Sequence, residues 1–360
     1  RLFYVAITRA KENVYMSYYK YKDNGNRSAK LRFLQDEPNN SEKADVEQSE
    51  LDQAKQEVLA EMPKTKQVLA DYIGVSKNLK LETEEKALLQ PVLENYQLSV
   101  THLNNFLNVA EGGPEEFLEK NLLRFPQPKP KPAKFGSAMH AALERFYSKY
   151  KDTDELPSQE ELLDIFKIEL NKEELTKSDF EDLLDKGHQA LSVYYKQKKD
   201  EFSVDDWVEF SFRNQGIKVG NAHLRGKIDK MREKENNLIK VYDFKTGSAL
   251  DNWKGRGKFE KIKAWRYRNQ LVFYKLLVEN SRKFGNKFRV NTGQLEFLEP
   301  EDEKIKEMSL QIDQKEVDRL SRLAQIVFKK VQNLNFPDIS KYSDNIKGIK
   351  AFEEDLLEEN

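Results

Sequence analysis

The stretch from Gly226 to Gly247 constrains what this chain can fold into more than any other part of the sequence. It reads as two short strands, His223–Met231 and Leu238–Lys245, joined by the polar and turn-prone run EKENN. Side chains alternate between the two faces of a strand, so pairing the strands also fixes which residues share a side. The sequence therefore predicts a β-hairpin whose charged residues have defined neighbours.

Three ionisable side chains of this hairpin converge on one place. Asp243 and Lys245 are two residues apart and share a face of the second strand, and Asp229 on the first strand can reach the same spot. Two carboxylates and an ammonium are costly to bury without a function, and they suit a divalent metal that activates water against a phosphate. Taken alone, the three residues favour an exposed ion pair instead, so the rest of the chain has to decide.

Composition narrows the classes of function. The 360 residues suffice for one large domain or two to three small ones, and the net charge of −1 confines any nucleic-acid site to a local patch. The absence of cysteine excludes disulfides, thiolate zinc sites and iron–sulfur clusters, and it fits the cytosol. No apolar run has the length of a membrane span and no signal peptide opens the chain, so we expect a cytoplasmic protein without a membrane partner.

The first residues, RLFYVAITRAKE, form an apolar segment that ends in a Thr-Arg-Ala triplet. They resemble motif VI of the UvrD/Rep-type superfamily 1 helicases, whose arginine contacts the γ-phosphate of ATP. The resemblance implies that Arg9 binds nucleotide, because a guanidinium stabilises charge on a transferring phosphoryl group. It also implies that residues 1–38 end a helicase core. Because the chain begins with Arg1 inside this motif, we expect it to be the C-terminal piece of a larger protein.

ATP use is expected of that parent helicase only. The sequence contains no phosphate-binding loop of the form G-x-x-x-x-G-K-[ST], so this chain alone is not expected to hydrolyse ATP. Residues 39–95 are polar and helical in character and predict a connector between two domains.

A new unit begins with YQLSVTH at residues 96–102, where Ser99 or Thr101 can cap a helix. This entry resembles the L-S-x-T-x-L string of RecB/AddB-type nuclease domains. Some of those domains carry cluster-binding cysteines nearby, but NVAEGG at residues 108–113 offers none, so no iron–sulfur cluster is expected. The run PQPKPKPAK at residues 126–134 predicts an extended connector, and its lysines are additional candidates for contact with DNA.

His140 lies within a predicted helix, Phe135–Tyr150, one turn after Gly136. A lone histidine on a helix is more often structural than a metal ligand. The G-x-x-x-H pattern nevertheless resembles the one that opens RecB-family nuclease domains. His188, on a later amphipathic helix, is interpreted as structural. Glu209, on a predicted strand at residues 204–213, is interpreted first as a satisfied strand carboxylate and second as a remote group that supports a metal.

The run from Trp253 to Gln270 carries seven basic residues against one acid, with four aromatic residues among them. Positive charge interleaved with aromatic rings suits single-stranded nucleic acid, since phosphates are neutralised and bases can stack. A solvated basic loop is the alternative. The candidate DNA-binding residues are Lys254, Arg256, Lys258, Lys263, Trp265, Arg266 and Arg268.

Two more features close the chain. Gln270 and Tyr274 are four residues apart on a predicted helix and share one face of it. The last ten residues, AFEEDLLEEN, contain five acids and no base, which predicts a frayed or disordered acidic tail within residues 337–360.

Four motifs now stand in order: G-x-x-x-H, G-K-I-D, Y-D-F-K-T-G and Q-x-x-x-Y. Together they resemble the RecB/AddA/AddB branch of the PD-(D/E)XK nucleases over residues 96–336. The resemblance implies an α/β fold with a restriction-endonuclease-like core, in which a central mixed β-sheet is flanked by helices and is preceded by the helical connector and the helicase-core remnant. No proline precedes Asp229. This branch of the superfamily commonly lacks that proline.

The resemblance also assigns roles. It implies that His140, Asp229 and Asp243 bind Mg²⁺, or Mn²⁺ in its place, and that the carbonyl of Phe244 adds a ligand. Such a metal would lower the pKa of a bound water and neutralise the scissile phosphate. Lys245 would orient that water or stabilise the transition state. Gln270 and Tyr274 would position the DNA strand or Lys245.

The expected function is that of a metal-dependent DNA nuclease within an ATP-dependent helicase-nuclease. It would act on single-stranded DNA or duplex ends in recombination or repair, in the cytoplasm and associated with the nucleoid. Any partner subunit is left open. Two alternatives are a catalytically silent, nuclease-like module that guides the helicase on DNA, and a free-standing exonuclease whose N-terminal likeness to helicases is accidental.

Overall fold

The computed structural model describes residues 83–124 and 128–359. The predicted helicase-core remnant at residues 1–38, with Arg9, and most of the predicted connector at residues 39–95 lie outside them. None of the helices in the described part is both long and apolar enough to cross a membrane.

A mixed sheet of five strands organises the described residues. The strands in chain order are β1 (Trp207–Ser211), β2 (Lys218–Val219), β3 (Ala222–His223), β4 (Lys227–Lys234), β5 (Leu238–Lys245), β6 (Arg289–Glu301) and β7 (Lys304–Gln311). The large sheet has the order β1-β4-β5-β6-β7, and β2 and β3 form a separate small pair. Only β5 and β6 are parallel within the large sheet, and its other neighbours are antiparallel.

Helices cover both faces of this sheet. They are α1 (Thr83–Glu94), α2 (Val100–Leu107), α3 (Gly113–Phe117), α4 (Lys131–Thr153), α5 (Gln159–Leu170), α6 (Lys177–Lys198), α7 (Lys258–Glu279), α8 (Gln314–Gln332) and α9 (Ile346–Glu358). One buried cluster joins α4, α5 and α6 to Phe244 and Leu298 of the sheet. A second, larger cluster joins α7, α8 and α9 to the sheet and to α1 and α2. The predicted α/β fold with a helix-flanked mixed sheet is therefore confirmed.

The predicted hairpin is β4 and β5. β5 has the predicted bounds, whereas β4 begins at Lys227 rather than His223. The chain passes very close to α7 just before β4. A Cβ added to Gly226 would lie only 2.4 Å from Leu277 Cδ1, so any larger residue at this position would require Leu277 to shift. Asn236 and Asn237 make the turn with φ values of 60° and 57°, a left-handed conformation that asparagine tolerates better than most residues.

The connection from β5 to β6 places two predicted motifs next to each other. Parallel neighbours need a long crossover, and here α7 supplies it. β5 carries Asp243 and Lys245, and the helix that follows it carries Gln270 and Tyr274. Chain connectivity alone therefore brings these four side chains to one end of the sheet.

The prediction of a disordered acidic tail is wrong for α9. Ile349, Phe352 and Leu356 recur at helical spacing and are buried, and the ring of Phe352 stacks on Phe106 with centroids 6.3 Å apart. The Asn345 side chain caps the helix by accepting a hydrogen bond from the backbone N–H of Lys347. Charge composition misled the prediction, since the acids occupy mainly the solvent face of an amphipathic helix.

The extended connector predicted at residues 126–134 is also partly wrong, because α4 already begins at Lys131. Proline is well tolerated in the first helical turn, where its missing N–H has no partner to lose, and Pro132 lies there. The lysines of the run bond to acceptors at the start of α6 and just before it: Lys129 to Glu173, Lys131 to Asp179, and Lys134 to the carbonyl of Glu174.

Candidate active site

Three carboxylates lie side by side across three neighbouring strands. Glu209 and Asp229 lie between the antiparallel pairs Val208–Lys230 and Phe210–Ile228. Asp229 and Asp243 come directly after the pair Lys230–Tyr242. All three are poorly accessible, with 6% of the Glu209 side chain, 8% of Asp229 and 1% of Asp243 exposed. Like charges directly opposite each other in a sheet repel, so this acid row requires cations nearby.

His140 reaches the acid row from α4. Its Nδ1 lies 3.3 Å from Glu209 Oε1 and 3.5 Å from Asp229 Oδ2. The potential ligand atoms of these three residues all lie within 4.8 Å of one another. The ring of His140 also packs edge-on against Phe244, which limits its rotation. Two carboxylates and an imidazole at this spacing form a donor set that divalent cations accept.

Asp243 is held by α7. Its Oδ1 accepts hydrogen bonds from Gln270 Nε2 at 2.6 Å and from the Tyr274 hydroxyl at 2.7 Å. Gln270 Nε2 also donates to the Tyr274 oxygen at 2.9 Å. The second oxygen, Oδ2, is buried and accepts no hydrogen bond, although Lys245 Nζ lies 2.6 Å away. A buried carboxylate oxygen without a hydrogen bond is uncommon, and it leaves a lone pair free for a cation.

Lys245 is fixed as a cation beside Asp243. Its Nζ donates to Gln270 Oε1 at 2.7 Å and lies 4.5 Å from the ring centroid of Tyr267. Burial alone would lower the pKa of this ammonium, but the charges of Asp243 and Asp229 outweigh burial and raise it. Lys245 therefore stays protonated and serves as a point charge.

Three cations face the three acids of the row, yet burial and repulsion between the acids still oppose the ionisation of Asp229. Burial and the charge of Asp243 raise the pKa of Asp229 to about 6 in spite of His140. Burial would lower the pKa of His140, but Asp229 and the hydrogen bond to Glu209 raise it to about 10. Lys227 Nζ lies 2.5 Å from Glu209 Oε2 at the other end of the row. The unbonded Asp243 oxygen and the raised pKa of Asp229 both fit a site completed by a divalent cation.

The structure brings the six predicted site residues together, with one change in the donor set. His140, Asp229, Asp243, Lys245, Gln270 and Tyr274 belong to one connected network. The compact ligand group, however, contains Glu209 with His140 and Asp229, and Asp243 lies beside that group. Glu209 was interpreted first as a satisfied strand carboxylate and second as a remote group that supports a metal. It is satisfied by Lys227 and His140, and it also lies within the compact group of possible ligands rather than remote from it. Lys227 was also missed, although it belongs to the G-K-I-D string.

The place of Glu209 in this site could not be predicted from motifs within the sequence. Its backbone has a positive φ of 50°, and it meets Asp229 only through the pairing of β1 with β4. No spacing within the sequence encodes that pairing. The one usable signal was a lone acid in an otherwise hydrophobic stretch, WVEF, of a predicted strand.

The predicted DNA-binding residues do not form one exposed surface. Trp265 is only 9% exposed, and its Nε1 donates to Glu353 Oε1 at 2.9 Å, so its prediction as a freely exposed stacking residue is wrong. Hydrophobic packing of α7 against α9 outweighed the basic context. Four of the predicted cations form ion pairs, which are Arg256 with Asp251, Lys258 with Asp344, Arg266 with Glu111 and Arg268 with Glu316.

Some of this run does face solvent. Lys263 Nζ donates to the carbonyl of Ser248, and Lys254 has no acidic partner among the described residues. Phe259, in the first turn of α7, is 81% exposed, the largest exposed fraction of any large hydrophobic side chain described. Phe259, Lys263, Tyr267 and Gln270 lie on one face of α7 and lead from solvent to Lys245.

The chain belongs to the PD-(D/E)XK nuclease superfamily, whose family model matches residues 97–344. Members of this superfamily use divalent metals, which agrees with the donor set at the acid row.

Two solved structures are similar to parts of this chain. A crystal structure of a protein from Eubacterium rectale, provisionally described as an exonuclease, shares 16% sequence identity over 72% of this chain and 88% of that chain, with a TM-score of 0.42. The crystal structure of a protein named SSO0001 shares 15% identity over 62% of this chain and 84% of that chain, with a TM-score of 0.23. No curated protein matches the chain.

Proposed function

We propose that this chain is a metal-dependent DNA nuclease that hydrolyses phosphodiester bonds. The observation that carries the proposal is the acid row across β1, β4 and β5, with the Lys245 ammonium 2.6 Å from the buried Oδ2 of Asp243. A silent DNA-binding module would have no need of this costly arrangement. Membership of a nuclease superfamily supports the same reaction class.

Each residue then has a proposed role. His140, Asp229 and Asp243 would hold Mg²⁺ or Mn²⁺ with the Phe244 carbonyl, and Glu209 joins this set. When bound, the cation would supply a Lewis acid for the phosphate and lower the pKa of water.

The protein supplies the rest. Lys245 places a positive charge where negative charge grows on the phosphate, because Gln270 holds its Nζ at 2.7 Å. Tyr274 is buried, so it orients Asp243 rather than DNA.

Substitution of Asp243 or Lys245 by alanine tests the proposal. Each is expected to reduce Mg²⁺-dependent cleavage of end-labelled single-stranded DNA by about 10²-fold or more, with DNA binding largely kept. Lys234→Ala, an exposed lysine of the same hairpin, serves as the control and should cleave like the wild type. Equal cleavage by all four proteins would contradict the proposal, and binding of DNA by the wild type without cleavage would favour the silent module.

Phe259 is the proposed stacking residue for a DNA base near the site. We expect Phe259→Ala to weaken binding of single-stranded DNA by about 1–3 kcal/mol, because each base stacked on an aromatic ring is worth roughly that amount. Fluorescence anisotropy of labelled oligo(dT) in EDTA measures this loss. Ile168→Ala removes another exposed hydrophobic side chain, on α5, and should leave the affinity unchanged.

The proposed context is an ATP-dependent helicase-nuclease that processes DNA ends in the cytoplasm at the nucleoid. The support is the likeness of residues 1–12 to helicase motif VI, with Arg9 as the nucleotide-binding residue. The proposed boundaries place the helicase end at 1–38, the connector at 39–95 and the nuclease at 96–336. Sequencing the encoding gene upstream tests this proposal, because a G-x-x-x-x-G-K-[ST] loop is required there. Its absence would favour a free-standing exonuclease.

A further inference from the structure

A groove of about 600 Å³ lies between α7, α8, α9 and the loop that precedes α7. Its wall on α7 consists of Lys261, Trp265 and Arg268, spaced four and three residues apart. With 3.6 residues per turn, this stripe lies on the opposite side of the helix from Gln270 and Tyr274. The groove is therefore separate from the candidate active site, although one helix forms a wall of both.

The groove has an excess of positive charge. Its lining contains five basic side chains and two acids, in a chain whose net charge is −1. Both acids are engaged, since Glu316 pairs with Arg268 and Glu353 with Arg319. The remaining three ammonium groups, those of Lys254, Lys261 and Lys350, have no acidic partner among the described residues and are exposed to solvent. Their uncompensated charges favour a ligand with several negative charges.

Aromatic rings line the same groove in fixed positions. Trp253 Nε1 donates to the carbonyl of Ser309 at 2.9 Å, and Trp265 Nε1 donates to Glu353 Oε1 at 2.9 Å. Both indoles thus have their polar atom satisfied and present apolar surface to the groove. Phosphates near lysines and bases near immobilised indoles are the contacts that single-stranded nucleic acid makes. The volume is also within the range of sites that take a nucleotide-sized group.

We propose that this groove is a second binding site for single-stranded DNA, distinct from the catalytic one. The lysines neutralise backbone phosphates, and the half-buried indole of Trp253 contacts a base, whereas the buried indole of Trp265 forms the floor of the groove. The inference rests on the proposed action on DNA, but it concerns binding and needs neither metal nor cleavage. Helix α7 would then lie between two DNA-binding sites, one on each of its opposite faces.

The two indoles provide a local readout. The chain has three tryptophans, so Trp207→Phe leaves only the two that line the groove. In this background (dT)12 is titrated in EDTA, so that no cleavage occurs, and tryptophan fluorescence is followed. The test variant carries Lys254→Gln, Lys261→Gln and Lys350→Gln. The control carries Lys167→Gln, Lys199→Gln and Lys234→Gln, which are exposed lysines without acidic partners elsewhere in the described residues.

We expect (dT)12 to quench the fluorescence of the parent saturably. The groove variant should bind about tenfold more weakly, and its plot of log K against log salt should be less steep by about 2, since three phosphate contacts contribute about 0.7 each. The control variant should match the parent. Equal weakening in both triple variants, or none in the groove variant, would overturn the proposal. Quenching by dTMP with the affinity of (dT)12 would also overturn it, by assigning the groove to free nucleotides.

Cleavage and tryptophan quenching are separate measurements, so a failure of the second-site proposal can be distinguished from a failure of the nuclease proposal. Lys245→Ala abolishes cleavage if the nuclease proposal is correct, but it leaves the tryptophan signal intact. A parent protein that fails to cleave yet shows quenching sensitive to the three groove lysines would retain the second site and lose the nuclease.

Discussion

Two buried clusters of charge lie next to each other in β4, and their difference separates structure from function. Asp229 belongs to the acid row, and Lys230, the next residue, belongs to a network that contains Glu296. Successive residues of a strand point to opposite faces, so Asp229 and Lys230 form ion pairs with different residues. Both are costly to bury.

The Lys230 network is balanced. Its Nζ lies 3.3 Å from Glu296 Oε2 and 4.2 Å from the ring centroid of Tyr242. Glu296 accepts further hydrogen bonds from the Tyr194 hydroxyl at 2.9 Å and from Gln294 Nε2 at 3.1 Å. Burial would raise the pKa of Glu296, but Lys230 and Lys198 outweigh it and lower that pKa.

The acid row is less well stabilised by comparison, although His140, Lys227 and Lys245 face its three acids. The pKa of Asp229 is raised, and a buried oxygen of Asp243 accepts no hydrogen bond. One sheet therefore contains a closed network, in which the pKa of the buried acid Glu296 is lowered, and an open network, in which the pKa of the buried acid Asp229 is raised. We infer that the closed network stabilises the fold and that the open network carries the chemistry.

The largest effect on stability should come from breaking the closed network. Lys230→Met leaves Glu296 buried without its counter-charge, which is expected to reduce the free energy of unfolding by about 3–5 kcal/mol. Chemical denaturation measures this change. Lys234→Met, on the exposed end of the same strand, is the matched control and should have an effect within about 0.5 kcal/mol.

The double substitution Lys230→Met with Glu296→Gln sharpens that result. Neutral glutamine keeps an acceptor for Tyr194 and removes the unpaired charge, so more than half of the lost stability should return. If the single variant is as stable as the wild type, the network does not have the structural role inferred here.

The next largest effect is metal-linked stabilisation of the open network. A cation that binds only the folded protein at 100 times its dissociation constant adds about 2.7 kcal/mol, so Mg²⁺ or Mn²⁺ should raise the Tm of the wild type. Asp229→Asn is expected to lose most of this increase. The control Glu235→Gln, which removes an exposed acid at the hairpin turn, should retain it. An equal increase in all three proteins would show that the metal binds elsewhere.

A smaller effect is expected from Tyr274→Phe, which removes one hydrogen bond to Asp243 without altering the acid row. Loss of a group that orients a ligand typically weakens metal binding by about 10–100-fold, and we expect the lower end because Gln270 still holds Asp243. The Mg²⁺ concentration for half-maximal cleavage should therefore increase about tenfold. Tyr342→Phe, a tyrosine before α9, is the control. An unchanged Mg²⁺ requirement would remove Tyr274 from the site.

Periodicity and motif order predicted much of the fold and site. β5 has its predicted bounds, and the helix predicted at Phe135–Tyr150 is α4, which begins four residues earlier and ends three residues later. Asp229, Asp243 and Lys245 were found because strand alternation determines which side chains share a face.

Periodicity and motif order could not predict contacts between segments that are distant in sequence. Glu209 reaches the site only through strand pairing, and Trp265 is buried only because α9 packs on α7. The edge strand β7 was missed because charged residues interrupt its apolar pattern. The errors at Glu209 and Trp265 share one cause, since each depends on a partner that is remote in sequence.

One consequence follows from the crossover between β5 and β6. Asp243, Lys245, Gln270 and Tyr274 all belong to a single strand–helix unit, interrupted only by the loop at residues 246–257. The loop can change in length or composition while the strand and helix keep the four side chains in place. Evolution, or a designer who exchanges this loop between members of the superfamily, can thus change the surroundings of the acid row without moving the four side chains.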